Sequence, residues 1–211
     1  LVTGVQTCAL PISVDIDIAR EHLLFLGYAK RPEKNLKDCL TIARRTKNIL
    51  AVMGGKDKWY RRRPWVRYKG LIGGEAKNEV LRRTKALLFP IRWHEPFGIA
   101  IIEALYFGAP VIGSPYGSLV ELVNEDVGFL SNSLSEMIEA VKSIDRFDRR
   151  RCHEFVCDQF TSRHMTEGYL KLYEKILNGE SLNNNKPVNG SNFSRDVLLR
   201  SEEHTSELQS P

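Results

Sequence analysis

Two glutamates, Glu95 and Glu103, bracket a Pro-Phe-Gly turn and the start of an apolar run. Glu95 precedes Pro96 and lies three residues before Gly98, so it belongs in a turn just ahead of a helix. From Ile99 to Phe107 every residue except Glu103 is apolar, the pattern of a helix buried all round. A carboxylate inside such a helix is costly unless another group pairs with it or hydrogen-bonds to it. The segment therefore offers a carboxylate at a helix entrance and another within the helix. Beside them lie backbone N–H groups of Gly98, Ile99 and Ala100 suited to an anion. Together these could bind a phosphorylated, polyhydroxylated ligand. The same spacing also fits a purely structural arrangement, in which Glu95 caps the helix and Glu103 meets a core Arg or Lys.

The elements that must position these residues alternate between strand and helix. Leu23 to Leu26, Ile49 to Met53, Val66 to Lys69, Ala86 to Phe89, Pro110 to Gly113 and Val127 to Leu130 read as strands, several of them continuously apolar. Leu36 to Thr46 has its apolar residues at the helical period, with basic residues opposite. A helix follows Gly73-Gly74 from Glu75 to about Arg83, a helical turn covers Leu119 to Val123, and three amphipathic helices span about 133–143, 148–159 and 162–177. Apolar strands separated by helices predict an α/β fold, a Rossmann-like parallel sheet with helices on both faces. Such sheets bind ligands at the carboxyl ends of their strands. The loops there are Tyr28 to Asn35, Gly54 to Lys58, Lys69 to Gly74, Pro90 to Gly98 and Gly113 to Ser118. Neither a G-x-G-x-x-G fingerprint nor a P-loop is present.

The two ends are expected to be foreign. Arg200 to Ser210 and Val2 to Ile12 can be encoded by opposite strands of one short oligonucleotide, and both resemble translated sequencing adapter. Residues 1–13 and 200–211 are set aside on that ground, leaving an internal fragment. The division expected is a nucleotide-sugar-binding domain over 14–177 and a polar tail or linker over 178–199, rich in Asn, Gly and Ser. Without Arg200, Glu202, Glu203 and Glu207 the chain carries 30 basic and 23 acidic residues, a net +7. Three cysteines remain, Cys39, Cys152 and Cys157, an odd number without paired C-x-x-C spacing. They give neither a disulfide framework nor a zinc site, and a reducing cytosol is the simplest setting. No apolar run approaches the ~18 residues of a membrane span.

Glu95-Pro-Phe-Gly-x-x-x-x-Glu103-Ala, followed by Gly108-Ala-Pro-Val-Ile-Gly-Ser114, closely resembles the E-x7-E signature of family 4 retaining glycosyltransferases with the GT-B fold. Phe25-Leu-Gly resembles the first strand of that family's C-terminal domain, and Arg31-Pro-Glu-Lys34 its Pro-Glu-Lys turn. Lys69-Gly70, Ala86-Leu-Leu-Phe-Pro90 and Val127-Gly-Phe-Leu130 resemble later family strands in the right order. The resemblance covers roughly residues 22 to 177.

That resemblance implies a donor-binding domain transferring a sugar from a nucleotide-diphosphate sugar with retention, by a front-face route that needs no covalent nucleophile. By resemblance Glu95 holds hydroxyls of the donor sugar, Glu103 the ribose, and Lys34 the departing diphosphate. Gly98, Ile99 and Ala100 lend backbone donors, and Phe97 and Gly70 are expected to line the donor site. Relatives place an arginine just after the first-strand glycine. Here Gly27-Tyr28-Ala29-Lys30-Arg31 leaves that register unfilled, so Lys30 and Arg31 are both candidates. The glycine usually following the lysine is Asn35, and the proline usually before Glu121 is Val120. Lys34 follows a proline-containing turn, where its stem is expected to have little core to fill.

No cofactor or metal is implied, the basic side chains taking a metal's place. The partners implied are a nucleotide sugar, an acceptor of unknown class (glycan, lipid-linked or small molecule) and an N-terminal acceptor domain missing from the fragment, which would then be inactive alone. A cytoplasmic setting is expected, including peripheral association with the inner face of a membrane. The alternative is a non-catalytic α/β module binding nucleotide or a polyanion.

Other candidates are weaker. His94 sits beside Glu95 and could touch donor or acceptor, or merely orient the turn. Trp59-Tyr-Arg-Arg-Arg-Pro-Trp65 could stack on nucleic acid or rest on an anionic membrane, but reads better as a solvated loop, and no nucleic-acid partner is expected. Arg149-Arg-Arg151 reads as a solvated helix face. His153 and His164 fall on helices without i, i+4 partners and read as structural or solvated.

Overall fold

In a computed structural model, residues 14–55 and 59–183 are described. The ends set aside above, residues 56–58 of the second loop, and the tail from 184 to 199 lie outside the described residues. Six strands form one parallel sheet: β1 (His22–Leu26), β2 (Ile49–Met53), β3 (Val66–Gly70), β4 (Thr84–Phe89), β5 (Val111–Gly113) and β6 (Gly128–Leu130). Their order is β3-β2-β1-β4-β5-β6. The expected α/β architecture is borne out, with each predicted strand found within a residue or two.

Strand alternation divides the core into two layers. Leu24, Ala51, Met53, Leu87, Phe89 and Val111 face one side. There they meet α2 (Gly74–Arg82), α3 (Ile99–Tyr106), α4 (Leu119–Leu122) and α6 (Arg149–Gln159). Leu23, Phe25, Leu50, Val52, Ala86, Leu88 and Ile112 face the other, covered by α1 (Leu36–Arg45), α5 (Leu134–Lys142) and Tyr60. Burying apolar side chains from both faces explains why the strands read as unbroken hydrophobic runs.

The last helix, α7 (Ser162–Leu177), has the amphipathic pattern expected, but none of its residues is buried. Tyr169, Leu170, Tyr173, Ile176 and Leu177 are all more than half exposed. Three short 3-10 turns, Pro32–Lys34, Trp59–Arg62 and Ile144–Arg146, were not predicted. The Arg149-Arg-Arg151 cluster is also not simply a solvated face. Arg149 donates to Ile18 O at 2.5 Å and Arg82 O at 3.1 Å, fastening α6 to the segment before β1 and to the end of α2, whereas Arg150 and Arg151 are exposed.

The chain leaves β1 for β2 and β3 on one side and then returns to β4 on the other. His22 pairs with Thr84 and Leu23 with Ala86 across that reversal. The loops after β1 and β4 therefore open side by side at the carboxyl end of the sheet, the place where such folds hold ligands.

Candidate functional site

The loop after β1 ends in the Pro32–Lys34 turn, and Arg92 N–H donates to Glu33 O at 2.8 Å, tying this turn to the loop after β4. Asn35 then adopts the left-handed conformation at φ 53° before α1 begins. Asparagine tolerates that region better than most other residues with a side chain. Its buried Nδ2 donates to Asp38 Oδ2 at 2.6 Å and to Pro90 O at 2.7 Å. Asp38 in turn pairs with Arg92 at 3.0 Å. The two loops are thus stitched together by buried polar contacts.

Lys34 Nζ donates to Glu95 Oε2 at 2.6 Å, with both side chains less than a fifth exposed. Trp93 Nε1–H donates to the same oxygen at 3.0 Å. The ammonium also lies 4.7 Å from the centre of the Trp93 ring and 5.3 Å from that of Phe89, close enough for cation–π attraction. The expectation that the Lys34 stem has little to pack against is therefore overturned. Among the described residues Glu95 Oε1 takes no hydrogen bond, so one oxygen is held and the other is open.

Glu95 backbone is fixed from a third loop. It forms a parallel bridge with Gly117, and Ser118 N–H donates to Glu95 O at 2.9 Å. Gly117 has φ +63°, and a Cβ there would come within 2.4 Å of Glu95 N and O. Only glycine permits this approach. Ser118 Oγ–H donates to Phe97 O at 2.8 Å, and His94 packs edge-on against Tyr116, 5.9 Å between ring centres.

Glu95 does not cap α3. The N-cap is Gly98 at φ 87°, without a side-chain cap, which leaves first-turn N–H groups of α3 pointing to the mouth of the site. Phe97 and Ile99 beside them are each 41% exposed. Glu103, on the second turn, is buried and forms an ion pair with Lys77 of α2 through Oε1. Of the structural arrangement allowed by the sequence, the part concerning Glu103 is present and the part concerning Glu95 is not.

Among the described residues, no side-chain hydrogen bond or ion pair joins Lys30, Arg31 or Gly70 to Lys34 or Glu95. Lys30 is exposed, and Arg31 pairs with Glu33 of its own turn at 3.4 Å. Gly70 closes β3 at φ +70° and accepts from Gly54 N–H at 2.8 Å. Trp93, Lys77, Gly117 and Ser118 were missed by sequence reasoning. Trp93 is two residues from Glu95 and carries a donor, which is a local signal. Lys77 is on another helix, and nothing in its own neighbourhood marks it.

The histidines on the last helices are structural, but one reading needs correction. His153 has an i+4 partner, Cys157, with Sγ 3.5 Å from Nε2, while its Nδ1 meets Tyr106 O at 2.5 Å. His164 Nδ1 meets the N-cap Thr161 hydroxyl at 2.9 Å. Burial pushes the Cys152 thiol up to about 12, raises that of Cys157, and lifts that of Cys39 well above the usual range. Among the described residues no three His, Cys, Asp or Glu side chains come together as metal ligands would. No helix among them is long and apolar enough to cross a membrane.

Several known proteins resemble this chain in sequence and fold. The sequence model of the family described as "Glycosyl transferases group 1" matches residues 20–144. The O-antigen chain mannosyltransferase C of Escherichia coli is 26% identical over 187 residues, covering 78% of this chain and 49% of that protein. The phosphatidyl-myo-inositol mannosyltransferase of Propionibacterium freudenreichii is 30% identical over 118 residues, covering 54% of this chain and 31% of that one. Among solved structures, AviGT4, a glycosyltransferase involved in avilamycin A biosynthesis, superposes with a TM-score of 0.64 at 22% identity, covering 77% of this chain and 53% of that one. The sucrose-phosphate synthase of Thermosynechococcus elongatus gives a TM-score of 0.62 at 20% identity, over 82% of this chain and 51% of that one. The chain spans about half the length, or less, of these proteins.

Proposed function

The chain belongs to the group 1 glycosyl transferases, and from that premise we propose that residues 14–177 are the donor-binding half of a nucleotide-sugar-dependent, retaining GT-B enzyme. The observation that carries this reading is the Lys34–Glu95 pair, 2.6 Å long, set where the β1 and β4 loops meet the open first turn of α3. In this reading the diphosphate lies against the α3 N-terminus and draws the Lys34 ammonium, which neutralises the charge that grows on the leaving group. Glu95 Oε1 takes hydroxyls of the donor sugar, and Glu103 takes those of the ribose. Displacement then occurs on the face from which the nucleotide departs, without a covalent nucleophile and without a metal. Two relatives bear mannosyltransferase names, which supports a hexose as the sugar. The acceptor would bind a separate domain preceding Val14.

Two tests address this reading. Extending the coding sequence upstream of Val14 should uncover a second α/β domain with a Gly-rich first loop. A chain that begins close to Val14 would favour the non-catalytic nucleotide- or polyanion-binding module. In the two-domain protein, Glu103→Ala should weaken donor binding, while Glu95→Ala should mainly slow transfer. Each should lose on the order of 1.5–3 kcal/mol of the relevant interaction. Wild-type kinetics in both variants would remove the site from these residues.

A further inference from the structure

Both signature glutamates are held in the same way. Lys34 and Trp93 occupy Oε2 of Glu95, and Lys77 occupies Oε1 of Glu103. Among the described residues neither second oxygen takes a hydrogen bond. A carboxylate can accept about four hydrogen bonds, so each retains capacity for a ligand hydroxyl on its open side. Lys34 comes from the β1 loop, Lys77 from the first turns of α2, and the two do not share a partner.

From this pattern we infer that Lys77 is a positioning residue for the proposed reaction: it fixes one oxygen of Glu103 and cancels its charge, so that the other oxygen can receive the ribose hydroxyls beside a diphosphate. The inference rests on the reading of Glu103 as the ribose ligand. An isolated carboxylate so near a diphosphate would repel it, and the repulsion is strong where water is partly excluded. The Glu103 side chain is 10% exposed and that of Lys77 is 23%, so the pair is shielded without being sealed. A glutamate on an all-apolar helix also needs a partner to be there at all. Lys77 supplies one from the flank, leaving the solvent side of the carboxylate open.

Packing alone does not account for the choice. A partly buried ion pair of this kind adds little stability over apolar residues of similar size. Val80 and Leu81 on α2, and Ile101 and Ile102 on α3, belong to one apolar cluster. A lysine and a glutamate here are better explained by what the carboxylate must do.

The decisive quantity is the preference for a ribonucleotide over its deoxy analogue. The chain would be titrated calorimetrically with UDP, ADP, GDP and CDP, and the tightest binder compared with its 2′-deoxy and 3′-deoxy forms. The wild type should favour the ribonucleotide, and Lys77→Met should lose most of that preference, weakening the ribonucleotide on the order of 10–100-fold while changing the deoxy form far less. Lys77→Arg, which keeps the charge, should retain most of it. A Met variant that weakens both forms equally, or keeps the wild-type preference, would overturn the role given to Lys77. A wild type that binds nucleotide without any deoxy discrimination would overturn it together with the ribose assignment of Glu103. If no nucleotide bound the wild type at all, the proposed function itself would fall, a result distinct from the other two.

Discussion

Lys34 and Glu95 are 61 residues apart in sequence and 2.6 Å apart in space, and each is the other's principal charge partner. Lys34→Met should leave Glu95 partly buried with only the Trp93 N–H to satisfy it. A loss of about 1–3 kcal/mol in unfolding free energy is expected. The double variant Lys34→Met, Glu95→Gln should recover much of that stability without recovering nucleotide binding. Comparing melting temperature with nucleotide affinity for the two proteins separates the stabilising role of the lysine from the role towards phosphate proposed for it. Equal recovery of both would mean that Lys34 serves the fold alone.

Gly117→Ala should disturb the site from a loop that carries none of its charged groups. The new Cβ would meet Glu95 backbone at 2.4 Å from a left-handed position, so the bridge must open. We expect a loss of about 2–4 kcal/mol and weaker nucleotide binding. Gly168→Ala, in the body of α7 with nothing within 4 Å, should instead gain up to about 1 kcal/mol. Chemical denaturation of both variants tests the contrast.

Asn35 combines a left-handed backbone with two buried side-chain hydrogen bonds. Asn35→Gly keeps the first and loses the second, which should destabilise by about 1–3 kcal/mol. Asn35→Ala loses both and should be worse by a further 1 kcal/mol or so. If alanine proved as good as glycine, the backbone conformation would not be limiting.

His22 gives the fold an acid-sensitive position. Burial pulls its pKa down to about 4, against the partial support of Val80 O, which accepts from Nε2 at 3.2 Å. The unfolded chain titrates near the ordinary ~6.5 and so binds the proton first as pH falls. Stability should be full above that value, decline as pH drops towards 4, and level off below, a total of roughly 3 kcal/mol from this residue. His22→Gln should flatten the slope in that window. An unchanged slope would mean that other groups set the acid limit.

Much of this molecule is legible from sequence because its strands are buried on both sides. Leu23 to Leu26 and Ile49 to Met53 can be read as strands since no polar face interrupts them, and Gly27 and Gly54 mark where they stop. Glu103 stands out for the same reason, as the lone charge in an apolar helix. Its partner Lys77 could not be found this way. An exposed helix such as α2 carries several charges, and only the packing of α2 on α3 decides which of them turns inward. The 3-10 turn at Pro32–Lys34 and the seating of Lys34 between Phe89 and Trp93 likewise depend on β4 lying beside β1, which no local pattern encodes. The apolar stripe of α7 shows the converse limit, since its period marks a helix and says nothing of what covers it.

The order of the strands also bears on how the protein folds. β1 with β2 and β3, and β4 with β5 and β6, each join through a short crossover, so these two triplets are built from neighbours in the chain. The central seam between β1 and β4 has the largest sequence separation in the sheet, bringing His22 to Thr84 across the whole β2–β3 unit. Pairings of large sequence separation are the slow ones. Lys34 hangs from one side of that seam and Glu95 from the other. If this pair forms the proposed site, ligand recognition is a property of the finished sheet, and in a refolding time course nucleotide binding should return only after helical signal has already recovered.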